Sequence, residues 1–208
     1  MKKGKLLIIS GFSGVGKGTV VKYIQEHYPN YKVSVSVTTR EPRENEVDGI
    51  HYHFLSDEKF EQMVENRELL EHAGYVGHYY GTPARFVEEN LEKGNHVILE
   101  IETQGAIKVK EKRPDAVMIF VLPPSGMALK ERLVGRQTES QDVIEQRLEK
   151  AAEETKELVH YEYFVVNDKV EDCADNINKI IENKNPNLLD EDTILKIKKE
   201  ILTFSKGE

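Results

Sequence analysis

Cysteine is almost missing from this sequence. Cys173 stands alone in 208 residues, which excludes an intrachain disulfide, and nothing around it has the Cys/His spacing of a zinc site. A small packed residue in a reducing compartment is the plain expectation. Long hydrophobic runs are missing as well. The opening MKKGKLLIIS is basic like a signal peptide, but its apolar stretch covers only Leu6 to Ile9, shorter than a secretory core, and it reads as a strand. No later run approaches the roughly 20 apolar residues of a membrane helix, so a cytoplasmic protein with no membrane partner is expected. Positive charge is in deficit too. Lys and Arg number 29 against 37 Asp and Glu, a formal net charge of -8, and such a field repels polyanions and argues against a nucleic-acid surface. Any phosphate ligand must be met locally.

What is present is a soluble-type balance, 38% hydrophobic and 32% charged, too apolar for general disorder. At this length one catalytic unit is expected. Apolar bursts of strand length recur at Leu6 to Ile9, Val97 to Ile101, Val117 to Leu122 and Phe164 to Val166, separated by segments of helical spacing. That alternation predicts an α/β fold, a central parallel sheet with crossover helices in three layers. Val33, Val35 and Val37 alternate with Ser34, Ser36 and Thr38, which predicts a further strand with hydroxyls on one face. From Arg40 to about Glu88 the apolar density falls, as in an inserted substrate-binding segment, and a second polar insertion runs from about Ser125 to Glu157. Beyond Pro186, Ile194, Ile197, Ile201 and Phe204 predict a last helix that packs on the body, a homo-oligomer contact being its alternative use.

The first strand runs into GFSGVGKGT: Gly11, Phe12, Ser13, Gly14, Val15, Gly16, Lys17, Gly18 and Thr19. A strand entering glycines, a lysine and then a helix is the setting of a P-loop, in which backbone N–H groups curl around phosphate oxygens and the lysine adds charge at the β/γ-phosphates of ATP. Gly18 follows Lys17 where a magnesium-binding hydroxyl is usual, so Thr19 is expected on a phosphate oxygen and Mg2+ on ATP oxygens, water and a carboxylate. Glu100 and Glu102 in VILEIE are two apart, hence on one strand face, and are the candidates to meet the metal through water; plain solvent exposure at the strand end is the alternative. Arg40 and Arg43 flank a proline and form a basic hook for a monophosphate, to which Tyr52 and Tyr80 can donate; as isolated residues they are equally ordinary surface and core groups.

The stretch SVSVTTREPRENEVDGIHYHF resembles the guanylate kinase family. With LLEHAGYVGHYYGTP, LEIETQGA, KERLVGRQTE and FVVND the resemblance continues in the same order over about residues 5 to 170. It implies a P-loop nucleoside monophosphate kinase that moves the terminal phosphoryl group of ATP to GMP, with the whole chain as one domain: a core of 1–35, 89–124 and 158–208, a GMP-binding segment 36–88 and a helical lid 125–157. It implies that Arg40, Arg43, Tyr52 and Tyr80 hold the GMP phosphate, that Glu71 reads the base with Ser36, Gly81 and Thr82 beside it, and that Glu100 faces GMP. It implies that Asn167 contacts adenine and that Arg132, Arg136 and Arg147 of the lid join Lys17 and Arg40 in neutralising the phosphates in transfer. Gln137 departs from the glycine more common there, so the lid turn is less permissive.

The chemistry agrees with the base assignment. Guanine offers two adjacent N–H donors, and an ionised carboxylate only accepts, so Glu71 pairs with guanine and opposes adenine. No strong base is required, since a phosphate monoester with a second pKa near 6 is already an anionic nucleophile. His51, His53, His72 and His78 are therefore expected to be structural or solvated. Two other functions share the pattern: a catalytically inactive guanylate-kinase-like module that binds phosphopeptides, and a P-loop kinase of another small phosphorylated acceptor. The base reader separates the second, and the complete set of Lys17 and lid arginines separates the first.

Overall fold

A computed structural model describes residues 3–75, 77–135 and 141–204 of the chain. Its elements are β1 (Leu6–Gly11), α1 (Lys17–His27), β2 (Tyr31–Val33), β3 (Val37–Thr38), β4 (His53–Phe54), α2 (Asp57–Glu65), β5 (Leu69–Tyr75), β6 (His78–Pro83), α3 (Ala84–Glu92), β7 (His96–Glu100), α4 (Thr103–Lys112), β8 (Val117–Leu122), α5 (Gly126–Val134), α6 (Gln141–Glu154), a 3-10 turn at Glu157–His160, β9 (Tyr163–Val166), α7 (Val170–Ile181) and α8 (Glu191–Phe204). The fold is α/β around a parallel sheet. Contacts gather into two units, one holding the described residues up to Ile8 with Tyr28–Val117, the other Ile9–His27 with the described residues from Met118 onward.

In the first unit β2 pairs with β7 in parallel, Tyr31 opposite His96 and Val33 opposite Ile98. The three apolar residues Val97, Ile98 and Leu99 are buried, as a strand covered on both faces requires. A second, four-stranded sheet has the order β4-β3-β6-β5. β6 is antiparallel to both neighbours, with Thr38 opposite Tyr80 and Glu71 opposite Thr82, and β5 carries an irregularity between Leu69 and Glu71. Under it Phe60 of α2 packs with Val37 and Leu69, and Leu55, Met63 and Val64 line the cluster. Ser56 caps α2 by accepting from the Lys59 N–H at 3.3 Å, which satisfies an end donor and stabilises the helix by about 1 kcal/mol.

The alternation at 33–38 does not make one strand. The chain leaves the first sheet after Val33 and enters the second at Val37, and the hydroxyl side is not the exposed one: Ser34 and Thr38 are buried. The cause is hydrogen bonding. The Thr38 hydroxyl donates to the Tyr79 carbonyl of the second sheet, while Ser34 is held by its backbone N–H, which donates to the Ile98 carbonyl of the first sheet, its buried hydroxyl having no partner among the described residues; the backbone bonds of the two residues thus run to different sheets.

In the second unit β8 and β9 run parallel with Val121 opposite Val165. Phe12, Phe120 and Tyr161 form an edge-to-face ladder with both ring separations 4.9 Å, a favoured arrangement of ring quadrupoles. Buried Val20, Val21 and Ile24 turn one face of α1 inward, and α1 packs on α7. The C-terminal apolar spacing produces the expected helix: Ile197 and Ile201 of α8 are buried, each contributing about 1.5–3 kcal/mol by leaving water. α8 packs on α5 and α6, Glu200 accepts from the Gly126 N–H at 2.7 Å at the start of α5, and Lys130 lies 5.1 Å from the Phe204 ring. Cys173 is buried in α7, and burial pushes its thiol up to about 12, so it is an unreactive packed residue. Among the described residues no helix is long and apolar enough to cross a membrane.

Candidate active site

The glycine loop belongs to the second unit. Phe12 and Val15 are fully buried, so their side chains anchor the loop to the core and leave only their backbone to a ligand. Gly16 has φ +94°, a conformation L side chains avoid, and a Cβ there would sit 2.7 Å from Asn167 Nδ2, so both backbone and space require glycine. Asn167 follows β9 and donates from Nδ2 to the Val15 carbonyl at 2.8 Å. Arg132 of α5 donates to the same carbonyl at 3.1 Å and to the Asn167 carbonyl at 2.8 Å. One guanidinium thus ties the loop to the end of β9. Arg147 of α6 donates to Ser13 Oγ at 3.3 Å, and Lys17 Nζ donates to the Gly11 carbonyl at 2.5 Å. Gly18 and Thr19 are exposed in the first turn of α1, where N–H groups lack helical partners and the dipole is positive. Asn167 Oδ1 is buried with no hydrogen-bond partner. Arg136 and Gln137 lie outside the described residues.

A basic and aromatic cluster stands in the first unit. Arg40, just after β3, gives its fork to Glu46 in two bonds of 2.9 Å each, and the pair is largely buried, with side chains 13% and 17% exposed. Such a bidentate pair fixes the guanidinium plane. That plane lies 5.5 Å from the Tyr52 ring centroid, and Tyr52 meets Tyr80 edge to face at 5.9 Å. The fork of Arg40 holds the Glu46 carboxyl below its ordinary range. Burial, then the neighbouring Tyr80, pushes the Tyr52 hydroxyl up. Arg43 has an exposed side chain, and its N–H donates to Glu46 at 2.8 Å. Arg40, Tyr52 and Tyr80 therefore come together as the sequence suggests. Glu46, which holds Arg40 in place, escaped sequence reading, although an acid six residues after an arginine in a glycine-ended loop is the signal that could have found it.

Deeper in the second sheet, Glu71 is only 4% exposed and Thr82 1%. The Thr82 hydroxyl donates to Glu71 Oε1 at 2.9 Å. Burial pushes the Glu71 carboxyl up, while the Thr82 bond and the charges of Lys108 and Lys112 pull it down. Gly81 is held bare by Leu69, since a Cβ would meet Leu69 Cδ1 at 2.8 Å. Ser36 lies half-buried between β2 and β3, its carbonyl accepting from the His53 N–H at 2.9 Å. His51 Nδ1 accepts from the Val47 N–H at 3.0 Å, a structural bond inside the loop.

The two acids of VILEIE do not share a strand face. β7 ends at Glu100, and Glu102 instead occupies the N-cap of α4. Both are exposed, because the turn from strand to helix rotates the second acid away from the strand's alternation. Glu100 still acts on the cluster, its charge helping to raise the Tyr52 hydroxyl.

A glycine loop between a buried parallel strand and a helix, bonded by arginines of α5 and α6 in one unit, and a buried carboxylate with an arginine–tyrosine cluster in the other are features of the class of α/β nucleotide kinases. Comparison gives the family. The guanylate kinase family model matches residues 3–184. The guanylate kinase of Lactococcus lactis is 52% identical over 181 residues, covering 87% of this chain and 88% of that protein. The Oceanobacillus iheyensis enzyme is 48% identical over 201 residues, 97% and 96% of the two chains. The crystal structure of guanylate kinase from Anaplasma phagocytophilum superposes with a TM-score of 0.72 at 35% identity, covering 88% of this chain and 86% of that one. The chain belongs to the guanylate kinase family.

Proposed function

We propose that each unit of this chain holds one substrate, the glycine loop with α5, α6 and Asn167 taking ATP and the inserted sheet taking GMP. As a guanylate kinase the protein transfers the γ-phosphoryl group of ATP to GMP, giving ADP and GDP. The observation that carries the assignment of substrates to residues is the buried Glu71 carboxylate bonded to Thr82. A buried acceptor of this kind rewards a ligand with paired N–H donors and penalises one without them.

In this reading Arg40, held flat by Glu46, works with Arg43, Tyr52 and Tyr80 on the GMP phosphate, while Glu71, Ser36, Gly81 and Thr82 meet guanine and Glu100 stands on the GMP side. Backbone N–H groups of Gly11–Thr19 and the Lys17 ammonium hold the ATP phosphates. Asn167, tied through Nδ2 to the Val15 carbonyl of the loop, stands on the adenine side. Lys17, Arg40, Arg132, Arg136 and Arg147 neutralise the charge that spreads over the phosphoryl oxygens during in-line transfer, which positioning and electrostatics accomplish without a covalent intermediate. Segments 36–88 and 125–157 act as the two substrate covers and exclude water.

Magnesium fits this residue set through water and nucleotide. Among the described residues no group of three His, Cys, Asp or Glu could hold an ion, and Gly18 supplies no hydroxyl. That suits a cation that keeps much of its hydration shell, with the exposed Glu100 and Glu102 as acceptors for its waters. When bound it neutralises phosphate charge. Packed Cys173 and the lack of an apolar spanning helix among the described residues support a cytoplasmic location.

Calorimetric titration of each nucleotide alone tests the division of labour. Glu71→Gln should lose GMP binding and keep ATP binding, and Lys17→Met should do the reverse. Loss of both ligands by either variant, or of neither, overturns the division.

A further inference from the structure

The reader Glu71 is not supported from its own sheet alone. α4 lies along β5 and turns toward it a face made of Gly105, Lys108 and Lys112, spaced three and four apart so that all lie on one side of the helix. Gly105 sits directly beside the carboxylate: a Cβ built there would come within 3.1 Å of Glu71 Oε2. Lys108 Nζ donates to the His72 carbonyl at 3.0 Å, and Lys112 Nζ donates to the Leu70 carbonyl at 2.8 Å. Two ammonium groups thus hold the backbone on either side of Glu71, one residue before it and one after, next to the irregularity between Leu69 and Glu71. Unlike an ordinary surface lysine, each has a fixed backbone partner 36 and 42 residues away in sequence.

We propose that Lys108 and Lys112 are positioning residues for guanine recognition, clamping the strand that carries Glu71 and surrounding its carboxylate with positive charge, with Gly105 leaving the room for that approach. The inference rests on the reading of Glu71 as the guanine contact. The physical need is plain. A carboxylate this buried is driven toward its neutral form, and a neutral carboxyl presents an O–H to the N–H donors of guanine. The groups facing Glu71 are few: Thr82 from β6 donates to it, Lys108 and Lys112 from α4 supply charge, and His72 is its neighbour on β5. Burial comes first in raising the carboxyl, and Thr82 and the two lysines oppose it. Burial, then the same two lysines, holds the His72 imidazole below its ordinary range.

The sign of the pH effect follows. GMP binding needs the ionised form, so KM for GMP rises as pH falls through the Glu71 pKa. Removing the lysines raises that pKa further, and the rise in KM begins at higher pH. The test is the pH profile of KM for GMP in the full-length enzyme for the wild type, the pair Lys108→Met with Lys112→Met, the pair Lys108→Arg with Lys112→Arg, and Glu71→Gln. Titration of the GMP phosphate is common to every protein and cancels in the ratio to wild type.

The methionine pair should raise KM for GMP about fivefold at the acid end of the profile and less at the alkaline end, with kcat at saturation and KM for ATP held within about twofold, and the arginine pair should restore the wild-type profile. A methionine-pair profile that superposes on wild type while Glu71→Gln loses GMP use overturns this inference alone. An equal rise at every pH reduces the lysines to structural supports and overturns it as well. Normal GMP use by Glu71→Gln overturns the reading of Glu71, and this inference with it.

Discussion

Glu71→Gln is expected to lower kcat/KM for GMP by about 10^4-fold while leaving KM for ATP within about twofold. The carboxylate accepts at both oxygens, and one of them takes the Thr82 hydroxyl at 2.9 Å. Glutamine replaces an acceptor by an NH2 donor and removes the charge. Guanine would then meet a donor facing donors in a site only 4% exposed, where no water repairs the mismatch. The fold should not suffer. Burial holds the Glu71 carboxyl above its ordinary range, so its protonated form is the one the fold prefers; the stability this gives is fully present below the unfolded-state pKa and is lost as pH rises through the folded one. At neutral pH the ionised side chain therefore costs stability, and the neutral amide should leave the melting temperature unchanged or slightly raised. Loss of GMP use together with a large drop in melting temperature would mean instead that Glu71 is a structural residue. Steady-state kinetics and a thermal melt of one preparation separate the outcomes.

Lys17→Met carries the second large effect, a fall in kcat of about 10^3-fold with GMP binding retained. Lys17 opens α1 and reaches back to the Gly11 carbonyl, so its ammonium is held over the loop at the helix N-terminus, where charge and dipole add. Methionine keeps the length and the packing of the stem and removes only the charge. One partly buried hydrogen bond is lost, at a cost of about 1 kcal/mol, so the variant should fold. Single-turnover measurement of ADP formation checks it, and a kcat within tenfold of wild type would show that the loop backbone suffices without the ammonium.

The parts of the fold legible in the sequence were those where one interaction dominates. Leu6 to Ile9 and Val117 to Leu122 are continuous apolar runs and became strands buried along their length except at half-buried Val117, as a parallel strand covered on both faces requires. The glycine loop was legible because backbone conformation, lysine and helix start all lie within nine residues. Residues 31–38 were not, since period-two patterning cannot tell one strand from two short strands in separate sheets, and the deciding bonds run to Ile98 and Tyr79, far along the chain. Glu102 failed in the same way, a two-residue spacing that holds only while the strand lasts. Glu46, Lys108 and Lys112 were invisible for another reason. Each is a charged residue in a charged stretch, and only the fold gives it a partner: Arg40 for the first, the carbonyls flanking Glu71 for the other two.

The central claim is that the inserted sheet selects guanine through a buried carboxylate. ADP release, measured with saturating MgATP and with GMP, AMP, UMP or dTMP as acceptor, tests it most directly. GMP should exceed AMP in kcat/KM by about 10^4-fold or more. Comparable rates with AMP would contradict the account.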